Sequence, residues 1–184
     1  MKTFIKPEMF VHVPLCTHKM PSLVIVFSED ESSFQTEINR HSDIHAEYKK
    51  TKGLLDSLRE CPDHTYDIVL LNENCKDSAV LAHMNRILKQ DGLMVMDHPS
   101  LDDQESNKAL MEMLGNYFKI IMPYYAGNGE TLLLCSKEYH PTADLILQRS
   151  DLLEGLQFYN CDVHTAVFAM PQYVRKNYLG IIRN

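Results

Sequence analysis

Acidic side chains follow two strand-length apolar segments of the sequence. A run of three, 29–31, comes directly after segment 23–27, and Glu73 and Asp77 follow segment 67–71. Carboxylates in such places can hold a cation or accept a proton. By composition alone, run 29–31 is best interpreted as a solvated loop or a charge cluster at the start of a helix, where acidic groups favour the helix dipole.

Histidine and cysteine do not form a metal-binding pattern. His41 and His45 are four residues apart, but no third ligand has a suitable spacing. The five cysteines are scattered without a CxxC pair, at Cys16, Cys61, Cys75, Cys135 and Cys161. The sequence therefore predicts no metal site and no disulfide framework.

The overall charge is modestly negative. The 184 residues include 25 acidic and 18 basic ones, for a formal net charge of -7, and no cluster of Lys and Arg is interleaved with aromatics. Nucleic acid is therefore a poor partner, whereas a cationic small ligand suits an acidic domain. No apolar run approaches the roughly eighteen residues of a membrane span, and residues 1–7 lack the apolar segment of a signal peptide. We expect a cytoplasmic protein without a membrane partner.

Apolar segments that alternate with helical patterns must position these groups. Four of them, 23–27, 67–71, 93–96 and 118–122, have the length and near-continuous apolarity of strands buried on both faces. The chain is long enough for one well-buried core, so a single domain over 1–184 is expected.

Two helices are predicted between these strands. Apolar residues repeat at helical spacing from Val80 to Leu88, after Asp77 as a cap and before Gly92 as a stop. A second helix is predicted over 100–115, with Asp103 completing a capping box.

The turn-rich segment 123–130 predicts an antiparallel hairpin between strands 118–122 and 131–136 at the edge of the sheet. The alternation of strand and helix before it predicts parallel strands covered on both faces. The predicted fold class is therefore α/β, a Rossmann-like, methyltransferase-type sheet of six or seven strands that is mostly parallel.

Two motifs resemble those of the spermidine and spermine synthases, the polyamine aminopropyltransferases. The segment EMFVHVPLCTH at 8–18 is similar to the helix that precedes the first sheet strand in that family, and FYNCDVHTAVFAMP at 158–171 is similar to its closing motif. The resemblance covers roughly residues 7–180. It implies aminopropyl transfer from decarboxylated S-adenosylmethionine to putrescine, with no required cofactor. It also implies a polyamine or nucleoside ligand and a homodimer.

The resemblance implies several binding residues. His12 lies on the helix near which the family's substrates bind, and Asp30 keeps the position of an aspartate in the family's nucleoside-binding turn. Glu47 stands where a carboxylate grips the ribose, and Tyr125 matches a tyrosine that orients the amine. Without the resemblance, His12 would be interpreted as a packed or solvated residue and Tyr125 as a cover for the sheet edge.

The resemblance also indicates where a general base would stand. Asn72 occupies the place of the family's catalytic aspartate, and an amide cannot act as a base at neutral pH. Glu73 is the nearest carboxylate that can take over, and Asp77 is a more remote one. Lys76 adds a positive charge that repels a cationic substrate.

Other parts of the chain depart from the family pattern. Its glycine-rich turn is replaced by residues 28–32, which include no glycine, and Lys52 stands in place of an adenine-binding aspartate. The family's N-terminal β-domain is expected to be absent. Segment 28–66 is expected to leave little room for the usual strand, helix and strand.

Three functions therefore stay open. The first is a divergent aminopropyltransferase, and the second is a catalytically inactive relative that acts as a regulatory, binding or oligomerisation partner. The third is a methyltransferase-like enzyme that uses S-adenosylmethionine. Fold alone does not decide among them.

Overall fold

A computed structural model of the chain describes residues 2–127 and 129–184. The helices in this part of the chain are α1 (Ile5–Thr17), α2 (Ser32–Ile38), α3 (Leu54–Glu60), α4 (Ser78–Ile87), α5 (Gln104–Leu114), α6 (Leu147–Asp151), α7 (Cys161–Ala166) and α8 (Gln172–Asn177). The strands are β1 (Leu23–Phe27), β2 (His45–Lys49), β3 (Tyr66–Leu71), β4 (Leu88–His98), β5 (Ile120–Tyr125) and β6 (Thr131–Ser136).

These strands form one sheet in the order β2-β1-β3-β4-β6-β5. The first four run parallel, whereas β6 pairs antiparallel with both β4 and β5. The predicted α/β class, with a mostly parallel sheet and an antiparallel hairpin at its edge, is confirmed.

An apolar core covers each face of the sheet. Ile25 and Val69 belong to the core under α3, α4 and α5, whereas Val24 and Ile68 belong to the core under α1 and α2. Successive strand residues point to opposite faces, so a strand covered on both sides needs a continuous apolar run. This is why the apolar segments identify the central strands.

Helix α1 carries the first motif of the family resemblance and contacts the second, the closing motif. The carboxylate of Glu8 is 1% exposed and accepts the backbone N–H groups of Gln157, Phe158 and Tyr159 at 2.9, 2.8 and 2.8 Å. His164, fully buried on α7, bonds the hydroxyl of Tyr159 and the carbonyl of Pro141. The closing motif therefore serves to dock the C-terminal segment on α1.

The expectation of little room between β1 and β3 is wrong. Residues 28–65 hold α2, β2 and α3, so helix, strand and helix fit between these two strands. The two helices have only seven residues each, which is how the short segment accommodates the full crossover.

Two predicted helix boundaries need correction. Asp77 caps α4 as predicted, because its carboxylate accepts the N–H groups of Ala79 and Val80. The helix ends at Ile87 rather than near Gly92, since β4 begins at Leu88. The capping box at the start of α5 is wrong: Asp103 makes no capping bond through its side chain.

The hairpin is shifted relative to its prediction. Strand β5 begins at Ile120 and continues through Pro123 to Tyr125. Proline is tolerated there because β5 is an edge strand. Among the described residues, none of the helices combines the length and the apolarity that crossing a bilayer requires.

Candidate functional site

The candidate site lies at the carboxyl ends of β1 and β3. The chain leaves β1 for α2 on one face of the sheet and leaves β3 for α4 on the other. Ligands of open α/β sheets bind where the connections diverge in this way. A crevice of roughly 530 Å³ opens here, and it is lined by the start of α1, by α2 and by Asp30, Asn72 and Glu130.

Asn72, the first residue after β3, closes the gap between the two strand ends. Its backbone N–H donates to the carbonyl of Phe27 at 2.9 Å, and its Nδ2 donates to Ser28 Oγ at 3.0 Å. Its Oδ1 is buried and has no hydrogen-bond partner among the described residues. A buried carbonyl oxygen without a donor is costly, so this atom calls for a donor group from a ligand or water.

Asp30 stands in the turn after β1, as predicted, and lines the crevice. Its two oxygens accept the hydroxyls of Ser33 and Ser32 at 2.9 Å each. These bonds hold the pKa of Asp30 below its usual range. The carboxylate is therefore charged at neutral pH and favours a cation in the crevice.

Glu29 joins the turn after β1 to the loop after β2. Its Oε1 accepts the N–H and hydroxyl of Thr51 at 3.1 and 2.9 Å and the N–H of Lys52 at 3.3 Å. Lys50 adds an ion pair with Glu31 at 3.0 Å. Side chains of the protein thus link the two loops between which the resemblance places a nucleoside.

Glu37 of α2 belongs to a buried polar cluster and also lines the crevice. Its Oε2 lies 3.0 Å from His12 Nε2 and accepts Arg40 Nε at 2.7 Å. Burial alone would raise the pKa of Glu37, but the hydrogen bonds from His12 and Arg40 outweigh it and lower the pKa. The structure thus places His12 behind Glu37, fully buried, rather than at the open surface of the crevice.

His41 extends this cluster away from the crevice. Its Nε2 lies 2.9 Å from His12 Nδ1. Burial, followed by the charges of His12 and Arg149, lowers the pKa of His41 to about 3. His41 is therefore neutral under ordinary conditions.

Two lysines, Lys2 and Lys6, line the crevice, and Lys6 is balanced by carboxylates. Lys6 lies 2.7 Å from an oxygen of Asp97 and 3.9 Å from one of Glu130. Burial raises the pKa of Asp97, and the Lys6 ammonium only partly offsets this. With Lys6 paired in this way, Asp30 and Glu37 supply negative charge to the lining, where Lys2 is the opposing charge and Arg40 pairs with Glu37.

The two predicted bases have different surroundings. Asp77 is occupied as the cap of α4. Glu73 is exposed, and its carboxylate has no hydrogen-bond or ion-pair partner in the described part of the chain. Lys76 bonds Ser106 at the start of α5. Only Glu73 of this pair is available to a ligand.

Two other predicted site residues lie apart from this crevice. Glu47 sits in the middle of β2 and accepts the hydroxyl of Tyr66 at 2.7 Å. Tyr125 ends β5, where burial and then the neighbouring Tyr173 raise the pKa of its hydroxyl. Asp30 and Asn72 line the crevice, and His12 reaches it only through Glu37. The other predicted site residues lie outside its lining: Glu47, Glu73, Asp77 and Tyr125.

One group of side chains meets the distance criterion for a metal site. His18, Asp67 and Asp91 place one ligand atom each within 4.8 Å of one another. However, His18 Nδ1 already accepts the N–H of Met20, and His18 Nε2 lies 3.8 Å from an oxygen of Asp91, which is too far for a hydrogen bond. Asp67 is already bonded to Lys89 at 2.8 Å. His18 Nδ1, Asp67 and Asp91 are thus each bonded to other residues of the protein.

The sheet and its covering helices define an α/β protein with the fold of the spermidine synthases. Comparison with solved structures shows the fold. A spermidine synthase in complex with the transition-state analogue AdoDATO superposes with a TM-score of 0.83 over 98% of this chain and 76% of that one, at 19% identity. The spermidine synthase of Thermotoga maritima gives a TM-score of 0.79 over 98% and 75%, at 20% identity.

By sequence, the chain is a relative of the polyamine aminopropyltransferases. The enzyme of that name from Helicobacter acinonychis is 32% identical over 117 residues, which cover 60% of this chain and 44% of the relative. The one from Clostridium beijerinckii is 26% identical over 97% of this chain and 79% of the relative. The chain spans about half the length of the Helicobacter relatives it matches. No family model matches it.

Sequence reasoning missed Glu37 and Ser28. Both are polar residues in segments whose fold was not predicted, and each acts through a partner that is distant in sequence. Glu37 meets His12 across 25 positions and Ser28 meets Asn72 across 44. Local spacing carries no signal for such pairs.

Proposed function

We propose that this chain acts in polyamine metabolism as an aminopropyltransferase of low turnover. It would transfer an aminopropyl group from decarboxylated S-adenosylmethionine to a diamine such as putrescine. The observation that carries the proposal is the unpartnered Asn72 Oδ1 in a carboxylate-lined crevice at the carboxyl ends of β1 and β3. The relationship to polyamine aminopropyltransferases supports this choice of reaction.

The reaction needs an uncharged amine. The nitrogen lone pair attacks the carbon bound to the sulfonium sulfur, so a C–N bond forms while the C–S bond breaks and sulfur keeps the electron pair. An alkylammonium with a pKa near 10 must first release its proton. Asn72 can hold this amine through Oδ1 but cannot take the proton, which passes to Glu73 or to water. We therefore expect slow turnover.

A second candidate function is a binding or regulatory relative without catalysis. The bonds from Glu29 to Thr51 and Lys52 favour it, because they link the loops between which a nucleoside would bind. Such a protein would bind a polyamine in the crevice but would not bind the nucleoside that donates the aminopropyl group.

The two functions are separated by an assay for spermidine, using purified protein with decarboxylated S-adenosylmethionine and putrescine. We expect slow product formation that rises at least tenfold in Asn72→Asp, since a positioned general base contributes about a hundredfold or more. The control Asn116→Asp makes the same charge change on an exposed loop and should leave the rate unchanged. Absence of product from both wild type and Asn72→Asp would refute the transferase and favour the second candidate.

The resemblance also supports a homodimer as the working form in the cytoplasm. Multi-angle light scattering of the purified chain at micromolar concentration would give twice the chain mass. A monomer mass under these conditions would contradict this part of the proposal.

A further inference from the structure

Glu37 has one carboxylate oxygen committed to the protein and one that is not. The residue is 6% exposed, and its Oε2 takes the bonds from both His12 and Arg40. Its Oε1 has no hydrogen-bond partner among residues 2–127 and 129–184. A charged group that is nine-tenths buried thus lines the crevice with a free acceptor.

The partners of Glu37 fix the position of this free oxygen. His12 is fully buried on α1 and holds its second ring nitrogen 2.9 Å from His41. Arg40 is anchored at its other end by the carbonyl of Glu154. Both groups bond Oε2, so Oε1 is left as the atom for a ligand.

Two acceptors in the crevice without a partner in the described part of the chain share one chemistry. Asn72 Oδ1 is a buried acceptor without a donor, and Glu37 Oε1 is a second acceptor in the same lining. A primary ammonium has three donors and no acceptor, so it satisfies such a set, whereas a hydroxyl would bring an acceptor of its own. Charge adds to this preference because the carboxylate of Asp30 lies in the same lining.

We propose that Glu37 is the anchor of the amine substrate, binding a primary alkylammonium through Oε1 beside Asn72 Oδ1. This inference rests on the proposed function and adds to it a carboxylate from α2 that selects a cation. His12 and Arg40 are positioning residues, because they act on the ligand only through Glu37.

The test measures putrescine binding by titration calorimetry to wild type, Glu37→Gln and Glu31→Gln. Glutamine keeps the shape of the side chain and an oxygen for His12 and Arg40, but it loses the charge. We expect the dissociation constant for putrescine to rise about ten- to a hundredfold in Glu37→Gln, as for the loss of one hydrogen bond to a charged group. Glu31→Gln removes the same charge at the start of α2, outside the crevice lining, and should change binding less than twofold. The uncharged 1,4-butanediol should not compete with putrescine.

A second measurement does not depend on the folding of Glu37→Gln. In wild type labelled with carbon-13 at the glutamate carboxyl groups, the Glu37 signal is assigned by its loss in Glu37→Asp. It should move on addition of putrescine and stay in place on addition of the diol.

The outcomes distinguish failure of the Glu37 assignment from failure of the proposed function. If wild type binds putrescine but Glu37→Gln binds it equally well, or the Glu37 signal does not move, the anchor assignment is overturned and the proposed function stands. Equal losses in Glu37→Gln and Glu31→Gln would show general electrostatics and also overturn it. If wild type binds no putrescine, the proposed function fails and this inference fails with it.

Discussion

At position 72, an amide changes how the strand ends are joined. Asn72 Nδ2 donates to Ser28 Oγ, and that hydroxyl in turn donates to the carbonyl of Asp30 at 2.8 Å. A carboxylate at this position would have no proton to donate, so Ser28 would have to turn its own proton toward it. The present arrangement therefore stabilises the turn after β1 and leaves Oδ1 as an acceptor, which suits binding better than proton transfer.

A single buried carboxylate, Asp67, joins the amino-terminal ends of the central strands β1, β3 and β4. Its side chain is 4% exposed and pairs with Lys89, while its other oxygen accepts the N–H groups of Ser22 and Leu23. Burial alone would raise the pKa of Asp67, but Lys89 and these N–H groups hold it below its usual value. In Asp67→Asn, the new NH₂ group must face either the ammonium or the N–H donors.

We therefore expect Asp67→Asn to lower the free energy of unfolding by about 2 kcal/mol, because a buried carboxylate loses charge-assisted hydrogen bonds while its partner Lys89 is 37% exposed. Urea unfolding followed by circular dichroism measures it. Asp56→Asn is the control, because Asp56 is 81% exposed in its pair with Arg59, and it should change stability by less than about 0.5 kcal/mol. A loss for Asp67→Asn no larger than that of the control would show that the buried network is not stabilising.

At the scale of elements, the hairpin between β5 and β6 depends on the close approach of Gly127 to Phe158. Gly127 has a φ of 87°, and a Cβ there would overlap the Phe158 ring. Gly129, across the same loop, has a φ of 91° but meets nothing within 4 Å. The two glycines therefore share the backbone strain of a substitution and differ in the clash.

Alanine at each glycine separates these effects. Gly129→Ala should lower the free energy of unfolding by about 1 kcal/mol, because alanine must adopt the left-handed backbone conformation. Gly127→Ala should lower the free energy of unfolding by about 1–3 kcal/mol more than Gly129→Ala does, because Phe158 must move to accommodate the methyl group. Thermal unfolding of both variants measures the difference, and equal losses would mean that Phe158 moves away freely.

The elements that the sequence predicted are those whose local pattern matches their environment. Strand β3 is apolar throughout and buried on both faces, so Tyr66–Leu71 was recognisable. Strand β2 was missed because it is an edge strand in which exposed His45 and Glu47 alternate with partly buried residues. Two residues of the crevice lining were identifiable from the sequence, because Asn72 directly follows β3 and Asp30 lies in the turn after β1. The place of Glu37 in the crevice was not predicted, because it depends on a contact with His12 from another helix.

At the scale of the whole molecule, three buried histidines couple folding to pH. Burial is the main cause that lowers the pKa of His41 to about 3, of His98 to about 4 and of His164 to about 4. In the unfolded chain each would have its ordinary value of about 6.5. The native state therefore binds fewer protons than the unfolded state between these values.

Because the native state binds fewer protons than the unfolded state, lowering the pH destabilises the fold. Stability is fully present above about pH 6.5 and is lost as the pH falls toward the folded pKa values near 4. Three extra protons on the unfolded chain correspond to a loss of roughly 3–4 kcal/mol between pH 6 and pH 5. Asp97 acts in the opposite direction, because burial raises its pKa, but it is a single group.

Urea unfolding at pH 7, 6 and 5 tests this prediction. The free energy of unfolding should fall steeply below pH 6.5, and His164→Gln should reduce the slope by about one third, since it removes one of the three groups. His45→Gln is the control, because His45 is exposed on β2 and should leave the slope unchanged. A free energy of unfolding that stays constant from pH 7 to pH 5 would contradict the prediction. It would mean that the three rings gain protons in the folded state without loss of their packing.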